Sequence, residues 1–532
     1  MASTADSDGE VSSVRDRGQQ NALASKRQDS QAQRANQRFP LGWKDGLNQW
    51  WACLSPTTTE HRVLSFIPYL QQPPTHTETG SAPSSTSPSA VNLTDGTGNP
   101  MVNLGQPATP VTTSSVTDPY GPRRWHSNLV PLSGRNRALN EFSVERVDEE
   151  VENNLVMLHG YGAGLGFFYK NFEALSRAPG WKLYALDLLG MGRSTRPPFR
   201  IHAKDHNGKI TEAENWFIDA LEEWRQAKKI EKFTLLGHSM GGYMAVAYAL
   251  KYPGHLNKLI LASPVGIPED PYAVNADLPE PQESTMINEF TQDQDETTGS
   301  NAASSDGNNF LGKKAQHEAQ AGATSQQEPP RRPYPKWLTT LWDANFSPFT
   351  FVRWTGPLGP RLVSGWTSRR FSHLPEEEAQ ALHDYSYSLF RQRGSGEYVL
   401  AYVLAPGAFA RSPLIRRIQG VGRQYLRPHD GPTADSGPRD NGFPVVLMYG
   451  ENDWMDVKGG YAAQEKILNL KKEILKSKSA EEKAKDEGDA KVIIVPDAGH
   501  HLYLDGWEYF NKKMLKEMDE VSKREKRKRS QQ

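Results

Sequence analysis

Cysteine is almost absent: Cys53 is the single one in 532 residues, so no disulfide can form within the chain and a stapled secreted fold is excluded. No apolar run approaches the ~20 residues needed to cross a bilayer, which leaves only peripheral membrane contact. A charge excess is missing too. Lys and Arg number 62 against 63 Asp and Glu, a net charge of -1, so no global field attracts nucleic acid and none is expected as a partner. There is no P-loop, no G-x-G-x-x-G fingerprint after a strand and no cluster with metal-ligand spacing, so neither a cofactor nor a metal is expected. Apolar residues make up 36% of the chain and the mean hydropathy is -0.68, both lowered by long polar stretches. Discounting those leaves roughly 330 residues of folded protein, enough for one α/β domain with an insertion.

The polar stretches divide the chain. Residues 1–38 are mixed in charge and aperiodic, hence expected to be disordered. Their arginines (Arg15, Arg17, Arg34, Arg38) hint at a mitochondrial address, but Asp6, Asp8, Glu10 and Asp16 are acids that a transit peptide should lack. Residues 39–71 place Trp43, Leu47, Trp50, Trp51 and Leu54 at near-helical spacing. Three tryptophans so close together suit an interfacial membrane anchor, the alternative being a helix packed on the domain's own surface. Residues 72–125 are rich in Pro, Ser, Thr and Gly and read as a disordered linker, in which Asn92-Leu93-Thr94 matches a glycosylation sequon by chance.

The folded part is expected in two pieces, 139–268 and 442–518, with a cap inserted at 269–430 that contains a polar stretch at 280–331. FSVERV near Leu139 reads as its first strand. The runs at 154–158, 182–186, 232–236, 259–262, 444–449 and 491–495 are short and apolar, with helical stretches between many of them. Such runs read as buried parallel strands, so the fold class is α/β with a mostly parallel sheet. A Lys/Glu/Ala-rich insertion at 471–489 reads as a solvated helix, and 519–532 as a basic tail carrying KREKRKR.

The most informative motif is Gly237-His238-Ser239-Met240-Gly241. It fits G-x-S-x-G with a strand before and a helix after, the setting that puts a serine on a sharp, strained turn with its hydroxyl exposed. A serine nucleophile needs a base, and the base an orienting carboxylate. On such sheets the order is Ser, Asp or Glu, His, on loops after late strands. Asp453 follows the strand PVVLMY, with Asp456 and Glu451 as alternatives, and His500 follows KVIIV, with His501 beside it. Oxyanion donors are expected from the amide of Met240 and from that of Tyr161 or Gly162 in HGYGAG. His500 and Asp505 also form H-x-x-x-x-D, a pattern associated with glycerolipid acyltransferases. The competing reading has Asp505 capping or orienting the helix that starts near Trp507.

Taken together, HGYG at 159–162, DLLGMGRS at 187–194, GHSMGG at 237–242, SPVGIP at 263–268, GPLGPRLV at 356–363, Gly396-Glu397, YGEND at 449–453 and GHHLYLD at 499–505 carry a resemblance. The chain resembles a lipid-directed branch of the α/β-hydrolases, which holds the N-acyl-phosphatidylethanolamine lipases, the fungal cardiolipin-specific deacylases, the lysophosphatidic acid acyltransferases and a lipid-droplet coactivator of a triglyceride lipase. The coactivator lacks the serine that this chain keeps at Ser239.

The resemblance implies a serine lipid acyl hydrolase in phospholipid remodelling, with a phospholipid substrate, cardiolipin favoured. An acyl-coenzyme A-dependent lysophosphatidic acid acyltransferase is the runner-up, and a non-catalytic lipid-surface scaffold the third reading. It implies too that Trp43, Trp50 and Trp51 dock on a membrane or lipid-droplet surface. An intracellular location at the mitochondrial inner membrane is favoured, with droplet or endoplasmic reticulum as alternatives.

Overall fold

A computed structural model describes residues 40–68, 111–112, 120–269, 347–405, 409–426 and 437–531. The expected disordered segment 1–38, the polar stretch 280–331 and most of the linker lie outside these residues.

Among the described residues one sheet of nine strands organises the molecule, in the order β1-β2-β3-β5-β4-β6-β7-β8-β9. The strands are β1 (Val111–Thr112), β2 (Arg123–Pro131), β3 (Ala138–Arg146), β4 (Asn153–Leu158), β5 (Trp181–Leu186), β6 (Phe233–His238), β7 (Leu256–Ala262), β8 (Pro444–Gly450) and β9 (Asp489–Val495). From β5 to β9 all neighbours are parallel, whereas β1, β2 and β3 form an antiparallel edge. Parallel strands are covered on both faces and read as continuous apolar runs, which is why the six expected runs coincide with β4 to β9.

The sheet begins earlier than the pattern around Leu139 indicates. β2 pairs along its whole length with β3, from Arg123 opposite Arg146 to Pro131 opposite Ala138. Its alternation is hidden by polar side chains facing inward: Arg123 is buried because its guanidinium meets Glu173 and Ser176. The stretch read as linker therefore ends before Arg123, and β1 falls within it.

Strand order reverses about β4, since the next two strands in the chain, β5 and β6, lie on opposite sides of it. Loops leaving β4 and β6 consequently diverge over a crevice at the carboxyl edge of the sheet, the place where open α/β sheets bind ligands.

The helices, in chain order, are α1 (Trp43–Ala52), α2 (Pro56–Leu64), α3 (Tyr169–Leu175), α4 (His206–Ala227), α5 (Met240–Lys251), a cap of α6 (Pro348–Trp354), α7 (Gly359–Arg370), α8 (Glu376–Phe390) and α9 (Leu400–Val403), then α10 (Val457–Lys476), α11 (Ala480–Ala484), α12 (Leu502–Asp505) and α13 (Trp507–Gln531). Helix α5 is apolar nearly all round and buried from Met240 to Ala249, as a helix at the centre of a domain must be. None of the described helices is long and apolar enough to cross a membrane.

Two charged segments differ from expectation. The insertion at 471–489 is not one helix, because Ser479 and Glu482 form a capping box that restarts the chain as α11. Its Asp486 is buried under Arg423. The basic residues after 519 are not a free tail: they continue α13, where Val521 is buried, Lys528 pairs with Glu487 at 2.7 Å and Arg529 with Glu152 at 2.8 Å.

The N-terminal segment folds against the cap. Cys53 takes φ 50 and Ser55 caps α2 through the Thr58 amide, so the expected amphipathic stretch is two short helices. Helix α2 lies along α8 with Val63 and Leu64 buried, Thr59 bonded to Ser388 at 2.7 Å and Arg62 paired with Asp384 at 2.7 Å. Gln49 of α1 bonds Asp384 and His383, yet Trp51 is 80% and Trp43 66% exposed. The segment therefore packs on the domain while it turns tryptophans outward.

Candidate active site

Ser239 sits between β6 and α5 with φ 52 and ψ -118, a backbone that L-residues adopt only when their surroundings hold them there. The hold is visible. The Ser239 amide donates to the Ala262 carbonyl at 3.0 Å, and its own carbonyl accepts from Gly242 at 2.9 Å and Val265 at 3.3 Å. Space explains two glycines. A Cβ on Gly241 would lie 2.6 Å from the His159 carbonyl, and one on Gly160 would lie 2.9 Å from His238 Nδ1 and 3.0 Å from Ser239 Cβ.

Asp453, on the loop after β8, is fully buried. Its Oδ1 lies 3.2 Å from His500 Nδ1 and accepts from the Met455 amide at 3.0 Å, while Oδ2 accepts from the Ser263 hydroxyl and the Gly450 amide. The neighbouring acids are engaged elsewhere. Asp456 caps α10 through the Lys458 amide, and Glu451 accepts from the Asp497 amide.

The adjacent histidines separate in the same way. His500 faces Asp453, packs against Trp454 at 4.8 Å, and receives at its carbonyl the His238 ring 3.0 Å away. His501 faces Arg370, whose Nε donates to its Nδ1 at 3.0 Å. Burial, with Arg370 next in effect, holds His501 well below the usual imidazole range, so it stays neutral.

Asp505 is held by Arg370 at 2.9 Å, lies 3.4 Å from His373, and accepts from the Gly499 amide at 3.2 Å. It therefore fixes the turn before His500 and ties that turn to the cap. Asp505 is linked to the cap, and Asp453 to His500.

The loop after β4 brings His159 to Ala163 beside the serine. Gly160 to Ala163 form a turn in which Gly162 takes φ 71, and Tyr161 stacks on Phe349 of the cap at 5.2 Å. The Met240 amide opens α5, one of the first-turn donors a helix leaves unpaired. His159 donates from Nδ1 to the Gly160 carbonyl and accepts at Nε2 from the Leu188 amide. Burial pushes it down to about 4, so its 3.6 Å approach to Asp187 is not an ion pair.

Sequence reasoning missed the support beneath this loop. Asp187 is buried and accepts from the amides of Leu165 and Arg193, both at 2.7 Å, and from Asn140 at 2.8 Å. Asn140 also reaches Glu60 of α2 at 3.1 Å, which pairs with Arg193 at 2.5 Å and accepts from Tyr385 at 3.2 Å. Burial pushes both carboxyls above their ordinary range against the pull of Arg193. Asp187 and Arg193 stand in DLLGMGRS, whereas nothing local marks Glu60. Ser263 was visible only as the start of SPVGIP, and its φ of 45 is the strained position that aims the hydroxyl at Asp453.

A family model described as the alpha/beta hydrolase fold matches residues 153–506, and the chain belongs to that family. Among curated relatives, a 1-acylglycerol-3-phosphate O-acyltransferase of Arabidopsis thaliana is 31% identical over 388 residues, 72% of this chain and 69% of that protein. A 1-acylglycerol-3-phosphate O-acyltransferase of Mus musculus is 30% identical over 74% of this chain and 84% of its own length. One of Saccharomyces cerevisiae is 26% identical over 67% and 79%.

Proposed function

We propose that this chain is a serine lipid acyl hydrolase that removes an acyl chain from a membrane glycerophospholipid, cardiolipin being the favoured substrate. The observation that carries the reading is the 3.2 Å contact of Asp453 with His500 beside a serine held at φ 52. Ser239 Oγ attacks the ester carbonyl carbon as His500 takes its proton, and Asp453 holds the imidazole and stabilises its charged form. The Met240 amide, with that of Tyr161 or Gly162, donates to the oxyanion. The ester C–O bond then breaks, His500 returns the proton to the leaving alcohol, and water, deprotonated by His500, releases the fatty acid.

The relatives' names favour a second outcome for the same intermediate. A hydroxyl of 1-acylglycerol-3-phosphate can take the place of water, which makes the chain an acyltransferase, with acyl-coenzyme A as donor. The partners of Asp505 support routing that transfer through Ser239 rather than through a His500–Asp505 pair.

Docking supports a membrane substrate. Most of the large apolar side chains exposed among the described residues lie on α1 and the adjoining cap: Trp43, Leu47, Trp50 and Trp51 with Phe351, Trp354 and Leu362. The two elements are joined, since Arg361 lies over the Trp43 ring at 5.1 Å.

The test incubates wild type and Ser239→Ala with a phospholipid panel including cardiolipin, and separately with lysophosphatidic acid plus acyl-coenzyme A, following products by mass spectrometry. Fatty acid released only by wild type is expected. Acylated product that survives Ser239→Ala would overturn the serine mechanism in favour of the histidine-aspartate one.

A further inference from the structure

A small, half-open cleft lies beside the oxyanion loop, between Gly162 and Ala163 after β4, Gly190 to Gly192 after β5, and Phe349, Leu389, Phe390 and Glu397 of the cap. One wall is aromatic, as Phe349 stacks between Tyr161 and Phe390 at 5.2 and 4.5 Å. The other is backbone and one cation, Arg196.

Arg196 is unusual among the partly buried arginines here. Its guanidinium donates to the carbonyls of Gly190 at 2.8 Å, Gly192 at 2.9 Å and Arg393 at 3.1 Å. No carboxylate lies within 4 Å of it among the described residues. The acid that shares the cleft is already neutralised, because Arg353 grips both oxygens of Glu397 at 2.6 and 3.1 Å. The acids whose field reaches Arg196 are Glu397 and the buried Asp187, and neither is bonded to it. Burial lowers its pKa to about 10 against the pull of those two carboxyls, so it is still charged at neutral pH. A pre-positioned guanidinium bonded only to backbone carbonyls is suited to bind a phosphate oxygen, and the aromatic wall suits the apolar part of the same molecule.

The geometry points to this cleft as the phosphate subsite of the lipid, with Arg196 binding the headgroup phosphate while the glycerol backbone and acyl chain run along Phe349 and Phe390 toward Ser239. This rests on the lipid reading above and adds its specificity determinant: a phosphomonoester or phosphodiester group. Gly190 and Gly192 take φ 75 and φ 52, and a Cβ on Gly190 would lie 2.7 Å from Ser395 Oγ, so the loop that holds the guanidinium has little freedom to rearrange.

The full chain is titrated by calorimetry with hexyl phosphate, inorganic phosphate and hexanol, as wild type, Arg196→Gln, Arg196→Lys and Ser239→Ala. Hexyl phosphate is expected to bind wild type and Ser239→Ala alike, at least tenfold tighter than either fragment, and to lose at least tenfold in Arg196→Gln. Arg196→Lys keeps the charge and is expected to recover part of that loss. The ratio of kcat/KM for a phosphate-bearing ester to that for a neutral ester falls in parallel. Hexyl phosphate bound equally by Arg196→Gln, or bound no better than inorganic phosphate, overturns the assignment. So does an Arg196→Gln chain with a lowered melting temperature whose binding is not restored at all by Arg196→Lys, since Arg196 would then only tie the loops together. Because binding is read without turnover, a wild type that binds hexyl phosphate but hydrolyses nothing would sink the hydrolase reading and leave the subsite standing.

Discussion

In the proposed reaction the fully buried Asp453 holds the His500 imidazole in place and stabilises its charged form. Its three further donors, the Ser263 hydroxyl and the amides of Gly450 and Met455, fix the carboxylate's position. Replacing the carboxylate by an amide keeps the size and removes the charge that stabilises the imidazolium. Asp453→Asn is accordingly expected to lower kcat by roughly 10³ to 10⁴ with the melting temperature nearly unchanged, read by steady-state kinetics and a thermal scan. Ser263→Ala takes away one donor to a charged group, worth about 1.5–3 kcal/mol. A kcat loss of about ten- to a hundredfold is expected, with KM nearly constant. If kcat holds in Ser263→Ala, the hydroxyl does not orient the acid.

At the scale of elements, what can be read from the chain depends on how locally the physics is written. Strands β4 to β9 are legible because both faces are apolar, and Ser239, Asp453 and His500 because each follows such a strand. Strand β2 is not, since Arg123 is buried through a partner fifty residues away. Nor is the role of α2. Its Glu60 reads as one acid in a polar helix, but it joins Arg193, Asn140 and Asp187 under the oxyanion loop. Burial raises the folded-state pKa of Glu60 above 4.5. The folded chain therefore holds its proton more tightly than the unfolded one, and the contribution to stability is present below pH 4.5 and lost as pH rises through the folded pKa. Buried His159, with a pKa of about 4 against 6.5, contributes with the opposite slope over pH 4 to 6.5, so the Glu60 part must be read as a difference. Melting temperatures of wild type and Glu60→Gln between pH 4 and 8 should show wild type losing stability relative to the variant as pH rises. Parallel curves would mean that Glu60 titrates no differently in the fold.

For the whole molecule the decisive arrangement is that one short helix belongs to both the cleft and the outer surface. Phe349 of α6 is buried against Tyr161 and Phe390, while two and five residues on Phe351 is 51% and Trp354 70% exposed. In the proposed docking, a bilayer that takes up the tryptophans of α1 and the outer face of α6 lies next to the cleft, so that a phospholipid would enter without its acyl chains crossing water. The proposed attraction is apolar. Of the basic residues of α13, Arg524, Lys528 and Arg529 are engaged by Asn257, Glu487 and Glu152, and the chain carries a net charge of only -1. Burying apolar surface stabilises by roughly 25 cal/mol per Å2 and a tryptophan offers about 150–250 Å2, so even partial insertion of two rings exceeds the 1.4 kcal/mol of a tenfold affinity change. Trp51→Ala with Trp354→Ala is expected to weaken sedimentation with cardiolipin-containing liposomes by at least tenfold, at low and at high salt. Arg524→Ala with Lys528→Ala is expected to lower the melting temperature instead and leave sedimentation within twofold. If the tryptophan pair changes nothing and the basic pair releases the protein, docking is electrostatic and runs through α13, and the entry route beside α6 fails with it.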